Sequence, residues 1–67
     1  MPEEALTEDE RIIAAAYEYR LRDLFKVFAE AVATGEPDRD AVVRFRRGLL
    51  SARHVRRLAL EAIKPDS

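Results

Sequence analysis

The chain has no cysteine and no tryptophan, only two glycines and one histidine, and no apolar run longer than the six residues Ile12–Tyr17. Each shortage removes a class of explanation. Without cysteine there is neither a disulfide framework nor a thiolate zinc cluster, the two staples on which domains this small commonly lean. A membrane-spanning helix needs about 20 apolar residues, far more than six. Two isolated glycines form no phosphate-cradling loop. The opening Met1-Pro2-Glu3-Glu4 is acidic and lacks the basic-then-apolar layout of a secretory signal, so a soluble, cytoplasmic protein is expected.

Sixty-seven residues are enough for one domain at the lower edge of independent folding. What the chain does have is helical periodicity on both sides of one break. Ala33-Thr34-Gly35-Glu36-Pro37-Asp38 joins a glycine able to close a helix, a proline that cannot continue one, and an aspartate able to cap the next. The expected fold is all-α: a single domain over 1–67, an antiparallel two-helix hairpin of about 8–34 and 39–63, with 1–6 and 65–67 frayed.

The first helix announces its start. Thr7 and Glu10 fit a capping box, and Glu8, Asp9 and Glu10 set negative charge at the positive end of the helix dipole. No Gly or Pro interrupts the run to Thr34. Its seam is Ala14, Tyr17, Leu21, Leu24, Phe28 and Ala31, spaced three and four alternately, with Ile13, Phe25 and Val32 widening the arc. Ile12 and Tyr19 lie seven apart on another flank and form a possible second contact surface.

The second seam runs through Ala41/Val42, Phe45, Gly48/Leu49, Ala52, Val55, Ala59 and Ala62/Ile63. Most of these side chains are small, and Val43, Leu50, Leu58 and Leu60 point elsewhere. Gly48 offers an alternative stop, with Ser51 capping a third helix. The seam passes through Gly48 without a phase break, which favours one continuous helix. A lone hairpin of this kind leaves apolar surface wet, so dimerisation into a four-helix bundle is expected.

Charge is divided between the halves. Residues 1–36 carry nine acidic and four basic side chains, whereas residues 37–67 carry eight basic and four acidic. Arg39, Arg46, Arg53, Arg57 and Lys64 fall in a narrow window at about 100° per residue and make a basic ridge. Asp40 with Arg44 and Arg57 with Glu61 are spaced for local pairing. The remaining arginines require a counter-charge: Glu18, Asp23 or Glu30 of the first helix or of a dimer mate, an acidic protein, or nucleic-acid phosphates. His54 has Ser51 on its face but no acid to complete a triad, and no glutamate three residues earlier for a carboxylate-bridged metal site.

These features set the functional expectation. No enzyme, cofactor, metal site, small-molecule substrate or membrane partner is expected. The leading reading is a small interaction or accessory module that acts by homodimerising or by docking on a larger, acidic protein. The alternative is a nucleic-acid-binding regulator using the arginine-rich second helix. An antitoxin-like inhibitor that folds on its target ranks third.

Overall fold

The computed structural model describes residues 6–64, which form two antiparallel helices, α1 (Glu8–Ala33) and α2 (Asp38–Ala62). Leu6 is exposed and non-helical, and the other residues expected to fray, 1–5 and 65–67, lie outside the described residues. Among the described residues, no helix is long and apolar enough to cross a membrane.

The capping box forms. The amide of Glu10 donates to the Thr7 hydroxyl at 3.1 Å, and the Thr7 amide donates to the Glu10 carboxylate at 2.9 Å. At the other end, α1 closes through a Schellman turn. The Glu36 amide donates to the Ala31 carbonyl and the Gly35 amide to the Val32 carbonyl, at 3.0 and 3.1 Å. Gly35 adopts φ +96°, where a side chain would meet steric resistance, so the turn needs a glycine there.

The start of α2 differs from expectation. Asp38 does not cap it. Pro37 occupies the N-cap, with no side-chain hydrogen bond, and its carbonyl accepts from the amides of Asp40 and Ala41. Proline's fixed φ holds that carbonyl in place, so the helix begins one residue earlier than Arg39. Asp38 and Asp40 instead put negative charge in the first turn.

One seam joins the helices. Phe28 stacks on Phe45 with ring centroids 4.8 Å apart and planes 27° from parallel. Moving away from the turn, Leu24 meets Gly48, and then Tyr17 meets Arg56. The second helix is continuous through Gly48, and the close packing there explains the glycine. A Cβ at that position would stand 2.5 Å from a Leu24 methyl. Glycine's helix-propensity cost of about 1 kcal/mol is therefore exchanged for close approach of the two backbones.

The core that results is thin. Only Ala41 and Ala52 are buried among the described residues. Ile13, Tyr17, Leu21, Leu24, Phe28, Phe45 and Leu49 are half-buried. Several seam assignments shift. Ala14 is exposed and Ile13 takes its place, whereas Leu60, expected to point away, is half-buried. Phe25, Val32, Val42 and Val55 remain exposed, Phe25 by 60%. The reason is geometric: one neighbouring helix covers a narrower arc than the 100° or more that a globular core covers.

Replacing Gly48 separates propensity from packing. Gly48→Ala is expected to stabilise an L24A chain by about 1 kcal/mol, as helix propensity dictates. It should stabilise the native chain clearly less. Urea melts of the four members of this cycle check the coupling; equal gains in both backgrounds would mean that the Leu24 contact is immaterial.

Candidate functional site

Two surface regions combine chemistry with exposure, and both belong to the way α2 sits on α1. The first is the basic ridge. Arg39, Arg46, Arg53 and Arg57 are exposed along one side of α2, whereas Lys64, expected to complete the ridge, is exposed beyond the helix end at Ala62. Among the described residues, none of them forms an ion pair. Arg57 instead donates to Nδ1 of His54 at 2.9 Å, which turns that ring nitrogen toward a guanidinium.

The acids that were candidates for neutralising the ridge are engaged elsewhere or out of contact. Glu18 binds Arg22 at 2.6 Å and Asp23 binds Arg20 at 3.4 Å, both within α1. Glu30 makes no ion pair among the described residues. The chain's own first helix is therefore not the counter-charge. Two pairings expected from spacing also fail to form. Arg44 reaches back across the turn to Glu36 rather than to Asp40, and Arg57 contacts His54 rather than Glu61. Glu36 in the turn takes one guanidinium, and His54, three residues back along α2, takes the other.

Arg56 has a role that its spacing did not reveal. Its guanidinium carbon lies 4.2 Å from the centroid of the Tyr17 ring, across the hairpin. It thus closes the seam where the row of small and apolar α2 residues is interrupted. Only the register between the helices could have shown this, because Arg56 sits at an arginine-rich stretch like its neighbours.

The second region is apolar surface. A groove of about 270 Å³ on one face is lined by Ile13, Ala16, Tyr17, Arg20, Ser51 and Val55, among others. Another, of about 360 Å³, is lined by Val42, Phe45, Arg46, Leu49, Leu50 and Arg53. Leu49 and Arg53 sit on the side of α2 opposite Ser51 and Val55, so the two grooves open on opposite faces. Phe25 lies half a revolution round α1 from Ala16, and Val32 follows Phe25 by two turns. Both therefore extend the Val42 face. Ile12 and Tyr19, exposed by 58% and 75%, occupy the side of α1 remote from α2 and take no part in either groove.

Comparison with family profiles, curated proteins and solved structures finds no match to this chain. The functional reading therefore rests on these surfaces.

The Tyr17–Arg56 contact is testable by itself. A cycle of Tyr17→Leu, Arg56→Gln and the double variant should give a coupling of about 0.5–1 kcal/mol, the range for a partly exposed cation–π pair. Additive losses in chemical denaturation would show that the stacking is energetically neutral.

Proposed function

We propose that the protein is a non-enzymatic helical interaction module, working through self-association or by docking on a larger protein. One observation carries this reading. The only buried side chains among the described residues are two alanines, while eleven large apolar side chains stand exposed, including Ile12, Tyr19, Phe25, Val42, Leu50, Val55 and Leu58. A fold held by so little burial gains most from having its open faces covered. Isolated exposed apolar residues are ordinary, but a continuous row of them marks a contact surface.

The shape supports the same conclusion. The Cα trace measures 47 × 23 × 15 Å, a slab one helix thick. Such a slab has two broad faces and almost no interior in which to enclose a substrate. The first groove is an open seam between the two helices, and the second lies along α2 alone.

A second reading is supported by the ridge. Four arginines on one side of α2, with Lys64 past its end, have no acidic partners among the described residues and match what a nucleic-acid backbone requires of a helix. The acidic first half of the chain weighs against it, as does the presence of only one aromatic, Phe45, among the basic clusters.

The two readings separate cleanly. An interaction module that self-associates should sediment at twice the chain mass and melt at a temperature that rises with concentration. One that docks on another protein should sediment as a monomer with weak helical circular dichroism. A monomer that melts cooperatively at micromolar concentration would overturn the proposal. For the second reading, affinity for RNA or DNA should fall steeply with salt, and Arg46→Ala and Arg53→Ala should each lower the logarithmic salt slope by about one unit. Absence of binding at low salt removes that reading.

A further inference from the structure

We propose that the groove along the outer side of α2 receives a helix of a partner protein, one that carries carboxylates every seven residues with apolar anchors between them. This inference rests on the reading in which the protein docks on a larger one, and adds the site and the chemistry of its occupant.

The site is a second seam on α2, turned away from the one that faces α1. Val42, Phe45, Arg46, Leu49, Leu50 and Arg53 line a groove of about 360 Å³, and none of them is acidic. Two consecutive heptads run through it. Arg39 is followed by Val42 and Val43, Arg46 by Leu49 and Leu50, and Arg53 closes the second repeat. Each arginine thus stands three and four residues before an apolar pair. At about 100° per residue the arginines form the midline of the strip and the apolar side chains its two margins. Arg39, Val42, Val43, Arg46, Leu50 and Arg53 are all exposed, Leu50 by 56%. The three acids of α2 (Asp38, Asp40 and Glu61) fall outside the sector between Leu49 and Leu50. Among the described residues Arg39, Arg46 and Arg53 form no ion pair, and Glu18 of α1 is held by Arg22 at 2.6 Å.

That alternation of charge with apolar surface selects the occupant. A lipid surface takes apolar side chains on one face of a helix and basic ones on the other. Here Leu49 and Leu50 could not enter a bilayer together without carrying Arg46 and Arg53 between them. A nucleic-acid backbone is anionic throughout, and against it the apolar margins bury nothing. A second copy laid strip to strip sets arginine against arginine. A partner helix supplies both chemistries. Apolar residues repeating every 3.5 positions are what a neighbouring helix packs against, and a charged residue at one heptad position dictates which helix that is. The spacing also favours a helix over a strand. Arg46 and Arg53 lie two turns apart, about 10.5 Å along the axis, which a helix matches with residues seven apart. Same-face residues of a strand recur at about 6.8 or 13.6 Å instead.

Three capped, fluorescently labelled peptides of about 18 residues test the assignment on the full chain by anisotropy. All carry leucines three and four residues after each midline position, and the midline residue is Glu, Gln or Lys. The Glu peptide should bind roughly 5-fold or more tightly than the Gln peptide, as expected for two exposed ion pairs, and the Lys peptide most weakly. In the R46E/R53E chain the order should reverse, with the Lys peptide tightest. Arg47→Gln, off the strip, should leave Glu-peptide affinity within about 2-fold. Equal affinity for the Glu and Gln peptides overturns the proposed pairing. Binding of phosphatidylserine vesicles or poly-uridine through Arg46 and Arg53, with no binding of the Glu peptide, overturns the choice of partner. Failure of all three peptides at roughly 100 μM overturns the site and leaves the docking reading standing. Cooperative melting of the isolated monomer overturns that reading itself.

Discussion

The hairpin depends on the close approach of two backbones at Gly48. Leu24 enters the space where any other residue would carry a Cβ, and Ala41 and Ala52 continue the contact to either side. Small residues let helices pack closely, but each removes little area from water. The same choice that joins the two helices therefore denies them a deep core. Phe28 on Phe45 and Tyr17 under Arg56 supply the larger contacts, and these remain half-exposed because no third element lies over them.

From this constraint follows the contrast between the seam and the rest of the surface. Along the seam, contacts are paired and specific. Outside it, exposed apolar side chains and arginines alternate round α2, and among the described residues Arg39, Arg46 and Arg53 form no ion pair. Among the described residues, the acidic and basic halves share one ion pair, Arg44 with Glu36, and it belongs to the turn. Among the described residues, ion pairs therefore do little to hold the hairpin shut.

Much of the architecture could be read from residue order. The Thr7–Glu10 capping box, the glycine turn and both helix spans follow from local chemistry, which acts over three or four residues and so leaves its mark in short stretches of sequence. The register between the helices was less legible. Ala14 and Ile13 are adjacent and both apolar, and only the crossing of α2 decides which faces it. Phe25 and Val32 belong to a broad apolar arc whose burial depends on how many neighbours the helix has. The basic ridge was legible as a row, because 100° per residue suffices to align it. That Glu18 and Asp23 pair with arginines on their own helix was equally legible, because Arg22 and Arg20 stand four and three residues from them. The position of Arg56 over Tyr17 was hidden for the same reason as the register.

The Schellman closure at Gly35 bears on the order of events when the chain folds. Its hydrogen bonds span at most five residues, and the first contact across the bend, Glu36 with Arg44, closes a loop of only eight. Later contacts from Phe28–Phe45 outward each add a short increment, so loop entropy is met in small steps, as in a zipper closed from one end. Nucleation thus lies within a single chain. The broad faces take shape last, when the two arms have already come together.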